Sequence, residues 1–335
     1  MRTEPHAPRR RWPVVLLATV ATLSTSGLVL LLAASGPGVG HFRSPEGRAA
    51  YEEAYAAALA SLPEPTATHD LETTFGTVRA YAWVDDEHPD AAPVVLLPGR
   101  SASVPMWGDN LPDYVGHRTV YAFDTLGDTG LSTQTLPLAG VGDSARWVDE
   151  AMAALDIERA HLVGHSQGGG LAAAVAVRYP ERLASLTLLE PVLTLGMMPL
   201  STILVSIPAS LPFVPEAWRE AALHRIGGVE AEEVDPDDPL ARLIAAGSRH
   251  FSSGSLPNPV QLTDDELRAL PMPVYVAIAS DSSLAGGEGA AERAGLIPDA
   301  TVKIWPDTTH SLPMQVAPAL DAELLSFWDT HDPAR

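Results

Sequence analysis

Apolar residues along this chain follow two rhythms. Short runs that stay apolar without a polar face recur through it: "TVRAYAW" (77–83), "VVLL" (94–97), "TVYAFD" (119–124), "AHLV" (160–163), "LTLLE" (186–190), "VYVAIAS" (274–280) and "TVKIW" (301–305). Between them lie stretches with apolar positions at helical spacing, such as "SARWVDEAMAALD" (144–156), "GLAAAVAVRYPERL" (170–183) and "APALDAELLSFW" (317–328). A strand apolar on both faces must be covered on both, so this alternation predicts an α/β fold, a mostly parallel sheet between helices. Ahead of it, "RAAYEEAYAAALASL" (48–62) sets Tyr51, Tyr55, Ala58 and Leu62 on one face of a short amphipathic helix. "GPGVGHFRSPEG" (36–47) reads as a linker by its glycines and proline.

Two segments depart from both rhythms. Residues 14–34 hold 21 positions without a charged side chain, preceded by Arg9, Arg10 and Arg11. At about 1.5 Å per residue such a helix spans roughly 30 Å, the thickness of a bilayer's hydrocarbon core. The one-sided arginines predict a cytoplasmic N-terminus, a single-pass anchor in the cell membrane and an extracytoplasmic remainder. The rival expectation is a signal peptide cleaved after "AAS" near Gly36, releasing a secreted protein. The second segment, Pro191 to Pro215, runs 25 residues without a charge, but Pro199, Pro208 and Pro212 would break any single spanning helix. It is expected to open an inserted helical lid, with the acidic "EAEEVDPDD" (230–238) as a solvated loop. The chain therefore divides into an N-terminal tip and anchor (1–35), a linker with a short helix (36–70), a first core part (71–190), the lid (191–270) and a second core part (271–335).

Composition narrows the chemistry. A formal charge of −21 over 335 residues repels phosphate backbones, which excludes nucleic acid as the expected partner. Cysteine is absent, so thiol catalysis, disulfides and cysteine-held metals are unavailable. The H-x-x-x-H pair His161 and His165 falls on an apolar strand run and not on a helix, and neither metal nor cofactor is expected.

One local pattern carries chemistry. Gly164-His165-Ser166-Gln167-Gly168 fits G-x-S-x-G, directly after an apolar strand and before a helix. A sharp strand-to-helix turn of this kind lifts a nucleophilic serine clear of its backbone and needs small residues two positions either side. A serine hydroxyl requires a base to take its proton. His310, in "IWPDTTHSLP" after the last strand, is the candidate, and His165 reads as packing. The carboxylate that orients the base is expected to be Asp281, after "VYVAIAS", with Glu190 at the end of "LTLLE" as the alternative. Oxyanion donors are expected from the backbone N–H groups of Gln167 and Arg100, the latter in the loop "PGRSASVPMW" (98–107).

With these residues in place, the chain resembles the α/β-hydrolase superfamily over about residues 42–330, in particular bacterial carboxylesterase-like serine hydrolases with an N-terminal extension. "LLPGRSASVPMW", "VYAFDTLGDTGLS", "HLVGHSQGG", "LTLLEP" and "WPDTTHSLP" carry the resemblance in order. It implies cleavage of a small hydrophobic ester through an acyl-enzyme on Ser166. An amidase, aminopeptidase, carbon–carbon hydrolase or perhydrolase would use the same residues, and a non-catalytic binding module would share the fold. Two departures stand out. Pro98-Gly99 replaces the usual His-Gly of the oxyanion loop, and the family's G-x-x-D spacing falls on Ser282, one residue past Asp281. Serine at the turn argues against a dehalogenase, which uses a carboxylate nucleophile there.

Overall fold

In the computed structural model, which describes residues 38–198, 235, 237–253 and 256–333, the apolar runs pair into one sheet. Its strands are β2 (Ala67–Thr73), β3 (Gly76–Trp83), β4 (Val94–Leu97), β5 (Val120–Phe123), β6 (Thr133–Gln134), β7 (Ala160–His165), β8 (Leu183–Leu189), β10 (Val274–Ala279) and β11 (Ala300–Trp305). The order across the sheet is β11-β10-β8-β7-β4-β5-β3-β2, with β6 on β3. From β11 to β5 every neighbour is parallel, whereas β3 runs antiparallel to β5 and β2. This is the α/β-hydrolase fold. β4, β7 and β8 are buried at every position, as continuous apolar sequence requires of central strands.

Side chains alternate across the sheet. Val95 and Leu97 enter one core layer while Val94 and Leu96 enter the other. Helices α2 (Val141–Ala154), α3 (Gln167–Arg178) and α5 (Gly287–Ala294) cover the first layer through residues such as Trp147, Leu171 and Ala290. Helices α1 (Pro45–Leu59) and α6 (Ala317–Thr330) cover the second through Tyr51, Tyr55, Leu320 and Trp328. The first helix starts earlier than its apolar spacing predicts because Ser44 caps it, accepting from the Gly47 amide at 3.0 Å, with Pro45 at the first helical position.

Several elements differ from the expectation. β2 falls across the boundary drawn at residue 70, since "ATHDLET" is a largely polar strand at the sheet's edge. Residues 39–62 are no free linker: β1 (His41–Phe42) pairs with β9 (Phe251–Ser252), and α1 packs on α4 (Pro239–His250) inside the span expected to be lid. The apolar run 14–34 and residues 199–234 of the expected lid lie outside the described residues. Among the described residues no helix is long and apolar enough to cross a membrane.

The C-terminus is tied to the N-terminal edge of the sheet. Buried Arg118 bonds the Ala92 carbonyl, Asp329 and Asp332. His161 lies 3.0 Å from Asp332 through Nε2 and 2.7 Å from the Ser185 hydroxyl through Nδ1. Burial alone would raise the Asp332 pKa, but hydrogen bonds from His161 and Arg118 pull it to about 2. Its ionised form therefore favours the fold, fully above the unfolded value near 4 and fading as pH falls toward 2. Asp332→Asn is expected to lower stability by about 1–2 kcal/mol near neutral pH, discounting for its partial exposure, as read from the urea midpoint. Reactivity at Ser166, beyond the opposite end of β7, should not change.

Candidate active site

β7 ends at His165 and α3 begins at Gln167, so the whole strand-to-helix turn falls on Ser166. Its φ of 54° and ψ of −116° are strained for a residue with a Cβ. Glycine is obligatory two positions either side. A Cβ on Gly164 would sit 2.2 Å from the Gly168 carbonyl oxygen, and one on Gly168 would sit 2.3 Å from that of Leu97. Hydrogen bonds fix the turn: Ser166 N–H donates to the Leu189 carbonyl, and its own carbonyl accepts from Gly170 and Val192.

His310, on the loop after β11, brings Nε2 to 2.8 Å from the Ser166 hydroxyl oxygen. Its Nδ1 lies 3.1 Å from Glu190 Oε2. An ionised carboxylate can only accept, so Nδ1 carries the proton and Nε2 is left to accept from the serine. All three side chains are buried or nearly so.

Glu190, and not Asp281, is the carboxylate at His310. Glu190 follows β8 directly with φ of 48° and is completely buried. Its Oε1 accepts from the Ala279 amide (2.8 Å) and the Ser283 hydroxyl (2.7 Å), and Oε2 accepts from the Leu284 amide (2.9 Å). Burial would raise its pKa, yet the bonds from His310, Ala279 and Ser283 hold it below the usual carboxylate range. Asp281 is exposed, and its carboxylate accepts from the neighbouring Ser280 hydroxyl instead. The loop expected to supply the acid thus supplies donors to an acid on the adjacent strand. β8 and β10 are neighbours in the sheet, which makes the exchange possible.

His165 does more than pack. Its Nε2–H donates to the His310 carbonyl at 2.9 Å, and the two rings lie 4.8 Å apart. Burial, with the charge His310 can carry, drops the His165 pKa to about 3, so this ring stays neutral.

The 98–107 loop closes over the turn. A Cβ on Gly99 would lie 2.9 Å from His165 Nδ1 and 3.4 Å from Ser166 Cβ, so only glycine lets the backbone come this close. The amides around Arg100 are committed: Gly99 to Met106 Sδ, Ser101 to Asp128 Oδ2, Ala102 to the Gly99 carbonyl and Val104 to Asp124 Oδ1. Among the described residues the Arg100 N–H donates to none. Gln167, as the first residue of α3, also has an amide with no acceptor inside its helix. Its side chain donates to the Pro257 carbonyl at 2.9 Å, tying the turn to the chain returning from α4.

Comparison with known proteins agrees with this fold. Residues 92–233 match the family described as alpha/beta hydrolase fold. Carboxylesterase YbfK of Bacillus subtilis is 25% identical over 301 residues, covering 85% of this chain and 96% of that protein. A second B. subtilis protein, described as uncharacterized carboxylesterase nap, is 25% identical and covers 83% of this chain and 92% of its own length. The crystal structure of carboxylesterase CesB (YbfK) superposes with a TM-score of 0.77 at 24% identity, over 84% of this chain and 98% of that one. This chain has the α/β-hydrolase fold and is similar along most of its length to bacterial carboxylesterases.

Proposed function

We propose that this protein is a serine hydrolase that cleaves carboxylic esters through an acyl-enzyme on Ser166. One observation carries the reading: an unbroken chain of hydrogen bonds from Glu190 through His310 to a serine on a strained turn. The likeness to two proteins named carboxylesterases supports ester over amide bonds. In acylation the Ser166 oxygen attacks the ester carbonyl carbon as His310 Nε2 takes its proton. Glu190, ionised and held in place, stabilises the resulting imidazolium and keeps its tautomer. The Gln167 and Arg100 amides are assigned as the donors to the oxygen that gains negative charge. His310 then returns the proton to the departing alcohol, and water repeats the sequence to release the acid. The uncharged segment 191–215 favours hydrophobic acyl groups. We also assign the protein to the cell membrane, single-pass, with its catalytic part outside the cytoplasm, on the strength of residues 9–34.

Ser166→Ala and His310→Ala should each abolish turnover of p-nitrophenyl esters while leaving the urea midpoint near that of the parent; turnover surviving in either variant contradicts the reading. Glu190→Gln should slow labelling of Ser166 by a fluorophosphonate on the order of 10³–10⁴-fold, by analogy with loss of the acid in serine proteases. Asp281→Asn should label at the parental rate. For the anchor, full-length protein should stay with membranes through a carbonate wash and be open to external protease. A soluble product beginning near Gly36 would instead show cleavage.

A further inference from the structure

The loop that carries the Arg100 amide holds two residues in backbone conformations that cost free energy. Ser101 has φ of 62°, and Ser103 has φ of 58° with ψ of −179°, a region populated almost only by glycine. A side-chain-bearing residue stays there only when its surroundings fix it. At Ser103 the fixing group is its own hydroxyl. That hydroxyl donates to the Thr129 carbonyl at 3.0 Å, which commits its single proton. It must therefore accept from Tyr51, whose hydroxyl lies 2.8 Å away on α1. One turn further along α1, the Tyr55 hydroxyl donates to Asp124 Oδ2 at 2.9 Å. The other oxygen of Asp124 accepts the Val104 amide at 2.9 Å.

Two hydroxyls from one face of one helix thus end on consecutive loop residues, one directly and one through a carboxylate. Both tyrosines are fully buried. Phenylalanine would fill the same volume against Phe42 and Tyr81 without bringing a polar group into the core. We propose that α1 is the positioning element of the oxyanion loop: Tyr51 and Tyr55 hold the Ser103–Val104 backbone in the conformation that sets the Arg100 amide beside Ser166. This rests on the acyl-transfer reading for its catalytic consequence, and it couples the segment entering from the apolar N-terminal run to turnover.

Tyr51→Phe and Tyr55→Phe, each made in the full chain, remove one hydroxyl and little volume. A misplaced oxyanion donor should lower kcat by about 10- to 100-fold while leaving KM nearly unchanged. Adding Ser103→Ala to Tyr51→Phe should cost little more, because both changes remove one link. Hydrogen exchange reads the loop without reference to activity: the amides of Ser101 and Val104 should lose protection in both variants while β7 and β8 keep theirs. Parental kcat with only a lower urea midpoint would reduce the tyrosines to packing and overturn the proposal. Unchanged exchange at Ser101 and Val104 would overturn it even in a protein that turned over no ester. Loss of exchange protection in a protein with no ester turnover would uphold the positioning and count against the acyl-transfer reading alone.

Discussion

Taking the Glu190 carboxylate out of water costs several kcal/mol, and the residues around it are arranged to offset that cost. Two backbone amides, a serine hydroxyl and the His310 ring point at its oxygens. The 280–285 loop bends to deliver two of those donors, the Ser283 hydroxyl and the Leu284 amide, with Ser282 at φ of 46° as it turns inward. A charge held this way cannot move, and neither can the imidazole bonded to it. The tautomer of His310, and with it the direction of the Ser166 proton, follows from where Glu190 sits.

The same three residue types meet a second time in this molecule. Ser185, His161 and Asp332 form a serine–histidine–carboxylate chain at the N-terminal edge of the sheet, with distances as short as those around Ser166. Ser185 is fully buried within β8, no strand-to-helix turn lifts it, and its partners tie down the C-terminus. Composition and distance alone therefore do not make a nucleophile. The strained turn, the Gln167 and Arg100 amides, which meet no acceptor among the described residues, and the approach of Gly99 separate the arrangement proposed to react from the structural one.

Much of the site could be read from the sequence because its causes are local. Gly164 and Gly168 report a steric demand of the turn itself, and the strand before Ser166 and helix after it are written in adjacent residues. His310 was legible from its place after the last apolar run. The acid was harder. Asp281 and Glu190 both follow buried strands, and the choice depends on which loop turns inward, a property of neighbouring strands far apart in sequence. β2 leaves no mark in the apolar pattern because an edge strand facing solvent carries polar residues at most positions. Tyr51 and Tyr55 were visible as an apolar helix face, but the partners of their hydroxyls lie 52 and 69 residues away.

The account stands on a covalent intermediate at Ser166. Rapid acid quench during the first turnover of a p-nitrophenyl ester, followed by peptide mapping in a mass spectrometer, observes it directly. The acyl mass should appear on the peptide containing Ser166, at close to one equivalent per chain when deacylation is slow. Acyl groups on another residue, or turnover with no acylated peptide during the burst, would contradict it.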